Sequence, residues 1–393
     1  MFWIWLCCSS LGLARSQKPL PDELFPADPL EIITSDPLLP RGVGNQPLSP
    51  WQRQNLATAL DQLDAQATAK LNAGDKVGAF EIWNRELRLR RALGLLAEVE
   101  ALGRVGLIAW RQNQPKELQI INRRLQAIQG LTQLQPSANL KILQSLGQAY
   151  QQVRSPKQAL DVYQRILYLE RQQQNSAAQK TTLETIAQIA LSWFDYPKAA
   201  ATYKELLALV RTNREHSSEI TYLQQLAYIY NQSKQPRQAV AIKQQLASIY
   251  LNELNLGQLP ALRLAIGSDY ESLGQLNQAF QNYQQAYTTA WSLQEYYRAA
   301  EALRQLIALY RYQGQINEVL ETSQILLQAD QRAGNDYGMM NTYDQIGQIY
   351  LKRGDYPDAK VAFQNGLELA KRLQYQETYF AQQISLISQR ISQ

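Results

Sequence analysis

The stretch GQIYLKRGDYPDAKVAFQNGLELAKRL, from Gly347 to Leu373, places a small residue, an aromatic residue, a polar turn and a second small residue in a fixed order. The stretch GQAYQQVRSPKQALDVYQRILYLERQ, from Gly147 to Gln172, has the same order. Two such stretches in one chain indicate an internal repeat, in which each unit is a small supersecondary structure that its neighbours cover.

The repeat has a period of 40 residues. The first small position is occupied, at this spacing or twice it, by Ala67, Gly147, Ala187, Ala227, Gly267 and Gly347. The second small position is occupied by Ala79, Ala159, Ala199, Ala239, Ala279 and Ala359. An aromatic series follows the second small position at Trp83, Tyr163, Tyr203, Tyr283 and Phe363. This regular spacing over most of the chain predicts about eight repeats in one elongated array.

Each repeat is predicted to be two helices joined by a short turn. In the third repeat the first helix covers about Asn139 to Val153, and Pro156 opens the second helix, where its missing N–H has no cost. Small residues such as Gly147 and Ala159 let the two helices approach closely. The aromatic series is therefore predicted to be core, because a lone helix pair cannot bury its own apolar faces.

The order IGxxY, GDY and AxxxF between Tyr343 and Phe363 resembles the tetratricopeptide repeat (TPR). The 40-residue period is similar to the variant in adaptor proteins related to the Leu-Gly-Asn-repeat family. This resemblance implies an all-α fold, a right-handed TPR superhelix (α-solenoid) of about eight 40-residue helix-turn-helix repeats with a C-terminal capping helix. It also implies that partners bind on the concave face.

The second and seventh repeats depart from the pattern. Leu107 stands at the first small position of the second repeat, whose turn is one residue shorter. Ile307 and Val319 stand at the two small positions of the seventh repeat. We expect this bulk to push the paired helices apart.

The chain is predicted to have four segments. Residues 1–16 are apolar, contain both cysteines, Cys7 and Cys8, and are too short to span a bilayer, so we interpret them as a signal peptide or, alternatively, a short anchor. Residues 17–50 hold eight of the fifteen prolines and are predicted to be a linker, the alternative being that part of it docks on the array or on a partner. Residues 51–376 form the TPR array and residues 377–393 the capping helix.

The sequence contains little that suggests catalysis. His216 is the only histidine and is assigned to a loop between repeats, so no His/Cys metal cluster, Cys-His pair or serine triad is expected. No phosphate-binding loop or dinucleotide fingerprint occurs. We therefore predict a protein that is not an enzyme and has no cofactor. The net charge of +5 is too diffuse to indicate nucleic acid.

Candidate partner-binding residues come from two sources. By the resemblance, the concave face includes the residue after the first small position of each repeat, which gives Gln148, Gln188, Tyr228, Ser268, Ala308 and Gln348. In the two aberrant repeats, pairs of arginines are spaced by seven and share one helix face, with Tyr312 beside the second pair; these pairs are Arg104 with Arg111 and Arg304 with Arg311. The alternative is that the arginines are ordinary solvated side chains, and in either case we expect them outside the core.

The predicted function is a non-enzymatic scaffold or adaptor that holds a protein or peptide segment in its groove. The signal-like start, the proline-rich segment and the repeat body together resemble exported TPR proteins of cyanobacteria, which suggests a periplasmic or lumenal assembly factor for a membrane protein complex. The alternative is a membrane-tethered or cytoplasmic TPR regulator that senses a peptide or small ligand. RNA binding is a third hypothesis, disfavoured by the period and the modest charge.

Overall fold

The computed structural model describes residues 28–32, 36–39, 47–133 and 140–391. The predicted signal segment with Cys7 and Cys8 lies outside these residues, so its role stays a prediction. The chain divides into two compact units, Met1–Leu169 and Glu170–Gln393.

The first unit is built from helices joined by short turns. Its helices are α1 (Pro50–Asn72), α2 (Lys76–Arg90), α3 (Leu95–Arg111), α4 (Pro115–Gln133), α5 (Leu140–Gln152) and α6 (Pro156–Gln172), the last of which ends just beyond the unit boundary. Proline opens α1, α4 and α6, as the missing N–H at the first helical position allows.

The second unit continues in the same manner. Its helices are α7 (Ser176–Ser192), α8 (Tyr196–Asn213), α9 (His216–Gln232), α10 (Pro236–Asn252), α11 (Leu259–Ser272), α12 (Leu276–Ser292), α13 (Tyr296–Tyr312), α14 (Ile316–Arg332), α15 (Asp336–Arg353), α16 (Tyr356–Leu373) and α17 (Glu377–Ile391). The described residues contain no β-strand, and α1 to α16 form the eight predicted helix pairs. The predicted all-α repeat fold is confirmed.

The contact between the two helices of a repeat is a ring against a small residue. A Cβ added to Gly147 would lie 2.8 Å from the ring of Tyr163, and one added to Gly347 would lie 2.8 Å from the ring of Phe363. These two rings belong to the predicted aromatic series, and Phe363 is fully buried. The absence of a side chain on the first helix is therefore what makes room for the ring of the second.

The same contact attaches the final helix. A Cβ added to Gly366 on α16 would overlap the ring of Phe380 on α17, which is fully buried. Phe380 thus gives α17 the kind of anchor that the aromatic series gives to the second helix of each repeat.

The turns follow a period of half a repeat. From Arg154 to Gln374 every twentieth residue has a positive φ, whether or not it is glycine. The next residue donates its N–H to the carbonyl five positions back, as in Ser155 N to Tyr150 O at 2.8 Å and Asp195 N to Ala190 O at 2.9 Å. This pattern caps the free carbonyls of each helix end. Turns within and between repeats are therefore built alike.

The two aberrant repeats show how their bulk is accommodated. In the second repeat the positive-φ residue is Asn113, which confirms the shorter turn. In the seventh repeat Ile307 and Val319 are buried, and the position of the aromatic series is taken by the small residue Ser323, also buried. The seventh repeat thus has a large residue, Ile307, at the small position and a small residue, Ser323, at the position of the ring. The small serine leaves space for Ile307, and our expectation of separated helices did not take this into account.

Parts of the predicted linker contact the array. Leu30 is almost fully buried, Leu48 packs in a cluster with residues of α1 and α2, and the Asp36 carboxylate is ion-paired with Arg85 of α2. The alternative that this segment docks on the array therefore applies to its described residues.

We predict that Gly347→Ala lowers the free energy of unfolding by about 1–2 kcal/mol, although alanine favours a helix by about 1 kcal/mol over glycine. The new Cβ would press on a buried ring that has no free space to move into. Gly130→Ala in α4 is the matched control, because nothing lies within 4 Å of its added Cβ, and it should stabilise. Urea unfolding followed by circular dichroism measures both, and a neutral Gly347→Ala would contradict the contact.

We predict that Leu254→Gly raises the free energy of unfolding by about 0.5–1 kcal/mol. Leu254 has a φ of 57° and is 80% exposed, so glycine would relieve a left-handed conformation and lose little packing. Leu254→Ala is the control and should not stabilise, because alanine has the same left-handed strain as leucine. A gain of equal size in both variants, measured in urea, would refute the explanation.

Candidate partner-binding site

The arginine pair of the second repeat does not form a free site. Arg104 on α3 is ion-paired with Asp64 of α1 and with Glu86 of α2, the latter at 2.6 Å. Glu86 is fully buried and also accepts from Arg90. Arg104 therefore neutralises a buried carboxylate and joins three helices, whereas Arg111 is exposed at the end of α3.

The arginine pair of the seventh repeat is different. Arg304 on α13 donates to Oδ1 of Asp330 at 2.6 Å, and Asp330 is fully buried on α14. Asn335 donates to the same oxygen at 2.8 Å. Our expectation that Arg304 lies outside the core is therefore wrong in part, because its charge compensates a buried carboxylate while its side chain stays 37% exposed.

Arg311 is hydrogen-bonded to a residue of the neighbouring repeat. Its guanidinium donates to Gln345 Oε1 on α15 at 2.9 Å, and the residue is exposed. Arg304 and Arg311 both line a cavity of about 510 Å³ between α13 and α15. Each guanidinium has five N–H donors and spends only some of them on hydrogen bonds within the protein. These internal hydrogen bonds fix the position of each arginine.

The other walls of this cavity are aromatic, amide and apolar. The lining comprises Tyr297, Arg304, Ile307, Ala308, Arg311, Leu326, Asn335, Tyr337, Gly338, Asn341, Thr342 and Gln345. Among the described residues that line it, two side chains are cationic and none is a carboxylate. The buried Asp330, which does not line the cavity, compensates the charge of Arg304. The charge of Arg311 then leaves the cavity with a net positive character. Such a surface can bind a carboxylate or a carbonyl by charge-assisted hydrogen bonds.

Comparison with solved structures finds other helical-repeat proteins. A kinesin light chain-type protein from Podosopora anserina with nearly identical TPR-like repeats is 17% identical, with a TM-score of 0.35, over 50% of this chain and 96% of its own. A Rap protein complexed with Competence and Sporulation Factor is 12% identical, with a TM-score of 0.33, over 85% of this chain and 99% of its own.

A further similar structure is a signal-transduction ATPase with numerous domains and a tetratricopeptide-repeat sensor from Pyrococcus horikoshii. It is 12% identical, with a TM-score of 0.36, over 88% of this chain and 53% of its own. No protein-family model and no curated protein matches the sequence. The ring-on-glycine contact occurs at the positions that carry the TPR pattern in this sequence. The helix pairs of this chain therefore resemble tetratricopeptide repeats.

The other predicted residues are spread over the helices of several repeats. Gln148 on α5, Gln188 on α7 and Tyr228 on α9 are exposed. Gln348 on α15 is partly buried and donates to Tyr379 at 2.9 Å. Tyr312 is 79% exposed, and although it follows Arg311 in the chain it does not line the cavity.

Sequence reasoning missed the two tyrosines of the cavity. Tyr297 lies seven residues before Arg304, so the spacing that paired the arginines would also have placed it on their helix face. Tyr337 lies 40 residues after Tyr297, at the same position of the next repeat. The signal was present in the repeat register, but neither tyrosine belongs to the small or aromatic series.

A second cavity of about 560 Å³ lies beside the fifth repeat, where Lys243 stands at the position of the aromatic series. Lys243 is 4% exposed, and its ammonium donates to Asp269 at 2.7 Å and to Asn231 at 3.1 Å. The buried charge is thus compensated on the cavity wall, as a lysine in this environment requires.

The single histidine is not in a loop. His216 is the first residue of α9, and its Nε2 is bonded to Glu253. No group of three or more His, Cys, Asp or Glu that could hold a metal ion occurs among the described residues. Within that same part of the chain, no helix combines the length and the apolar character needed to cross a bilayer.

We predict that Arg304→Ala lowers the free energy of unfolding by about 2–4 kcal/mol, because it leaves the buried Asp330 without its cation. Arg311→Ala is the matched control on the same helix and should change stability little, since Arg311 is exposed. Urea unfolding distinguishes the two, and equal stability of both variants would contradict the buried role of Asp330.

Proposed function

We propose that the protein is a non-enzymatic TPR scaffold that holds an acidic segment of another protein at the cavity between α13 and α15. The observation that carries this proposal is the pair Arg304 and Arg311, oriented by the protein's own acceptors in a cavity lined by no described carboxylate. A carboxylate of the partner would complete the arginine forks.

The remaining walls support a peptide segment. Tyr297 is 67% exposed and Tyr337 is 53% exposed at the rim, where their rings can cover apolar side chains of a partner. Asn341 and Gln345 offer amide groups for a peptide backbone. Because the rim is open in this way, the cavity is better suited to a side chain of a larger molecule than to a small ligand enclosed on most sides.

The finer functional hypotheses belong to this proposal. We infer an exported protein whose partner is part of a membrane protein complex, which rests on the signal-like composition of residues 1–16 and the proline content of residues 17–50. Sequencing the amino terminus of the native protein tests export, and an intact Met1 on membrane-bound protein would favour the anchor instead.

Selection of short random peptides on the full chain tests the binding proposal. We expect selected peptides to be enriched in Asp and Glu, and Arg311→Gln to weaken their affinity by about tenfold, with a smaller difference at high salt. Arg111→Gln, an exposed arginine on α3, is the matched control and should leave the affinity unchanged.

Calorimetry at two salt concentrations gives the affinities. Peptides without carboxylates that bind Arg311→Gln as well as the wild type would overturn the proposal. If the wild type binds single-stranded RNA and Arg311→Gln does not, the cavity is a site for phosphate groups instead of carboxylates.

A further inference from the structure

The segment before the first helix contains the same tripeptide twice. Asp28-Pro29-Leu30 and Asp36-Pro37-Leu38 are spaced by eight residues. Proline fixes the backbone after each aspartate, and an aspartate at the start of such a sequence favours a turn.

Both copies form the same turn. In the first copy the Leu30 N–H donates to Asp28 Oδ1 at 2.9 Å and the Glu31 N–H donates to the Asp28 carbonyl at 2.9 Å. In the second copy the corresponding distances, from Leu38 and Leu39 to Asp36, are both 3.0 Å. Each turn is closed by hydrogen bonds within four residues, so its shape does not depend on the rest of the segment.

The second turn binds an arginine and an apolar cluster. Arg85 of α2 donates to both carboxylate oxygens of Asp36, at 2.8 and 3.0 Å, and this lowers the pKa of Asp36. The Asp36 side chain is only 13% exposed. Leu38 and Leu39 pack against the cluster that Leu56, Leu60 and Leu89 form between α1 and α2.

The first turn is also bound by arginines, but by different ones. Arg123 of α4 is paired with Asp28 at 3.2 Å, and Arg88 of α2 donates to the Pro29 carbonyl at 2.5 Å. Leu30 is 2% exposed. An arginine on the aspartate and a leucine that is at least partly buried are therefore common to both turns.

A third acidic contact lies next to the first turn. Glu31 is paired with Arg91 at 3.2 Å and lies 3.8 Å from Arg124. Both arginines also bind Glu98, which is buried, so their positions are set without the segment. We call Arg85, Arg88, Arg91, Arg123 and Arg124 the arginine surface.

We propose that the arginine surface is a binding site for Asp-Pro-Leu turns of a protein partner, and that the chain's own segment occupies it until such a partner displaces it. If the segment served only to cover the first helices, there would be no need for the same turn to be bound at two places by different arginines. The turn is local and preformed by proline, so a partner that carries it presents the same groups with little loss of entropy.

Displacement is feasible because of how the segment is held. The two arginines that bind the aspartates are partly exposed, with 36% of the Arg85 side chain and 62% of the Arg123 side chain accessible, whereas the aspartates are 13% and 15% exposed. An ion pair whose arginine stays solvated is screened by salt. The arginine surface lies in the first unit, so this proposal does not depend on the cavity between α13 and α15.

A labelled synthetic peptide of residues 28–39, DPLEIITSDPLL, is the probe, and fluorescence anisotropy on the full chain is the measurement. Asp28→Asn with Asp36→Asn weakens the internal occupant, so this double variant should bind the peptide about tenfold more tightly than the wild type. Adding Arg85→Gln and Arg123→Gln should remove that gain. The same peptide with both aspartates replaced by asparagine is the control and should bind at least about tenfold more weakly.

Circular dichroism checks that the variants are folded, and Asp36→Asn alone gives a milder change that should move the affinity in the same direction. Equal peptide binding by the wild type and both variants would overturn the proposal, as would equal binding of the asparagine peptide. Light scattering gives a separate outcome: a dimer of the wild type that is lost in the double variant would assign the surface to a second copy of the chain and overturn the proposed partner.

Discussion

The fold depends on a ring of one helix filling the space that a missing side chain leaves on its partner. Tyr163 against Gly147 and Phe363 against Gly347 show the contact within repeats, and Phe380 against Gly366 shows it at the final helix. Since the interior is close-packed, an added methyl group has no free space to occupy at these positions. The small residue therefore sets how closely the helices approach, and the ring provides the apolar area that holds them.

Two exceptions to this contact lie on cavity walls. Lys243 replaces the ring in the fifth repeat and lies on the wall of one cavity. In the seventh repeat Ile307 and Ser323 exchange the large and small positions, and Ile307 lines the cavity with the two arginines. Replacing a ring by a charged or small residue gives up packing, and a buried charge must then be compensated. In these two repeats a charged or small residue thus stands where most other repeats have a ring.

Arginine has two roles in this protein, and its planar fork suits both. Arg104 and Arg304 compensate the buried carboxylates Glu86 and Asp330 between helices. Arg85 and Arg123 instead hold carboxylates of the segment that precedes the array. One fork can bind an internal acceptor and a second group at the same time, so a structural arginine remains able to bind a partner.

The 40-residue pattern is enough to predict the class of the fold, the number of helix pairs and the phase of the repeat. Such periodic information is local, because apolar and small residues at fixed spacing define one face of each helix. Three features became visible only in the packed helices. Arg104 is used internally, Tyr297 and Tyr337 join Arg304 and Arg311, and two Asp-Pro-Leu turns contact α2 and α4. Each of these features depends on which side chains of different helices or distant segments meet. The spacing of residues along one helix carries no information about the charges on the helix that packs against it. The twenty-residue period of the turns was hidden for a related reason: the left-handed position accepts arginine, glutamine or leucine as well as glycine once packing on both sides holds it.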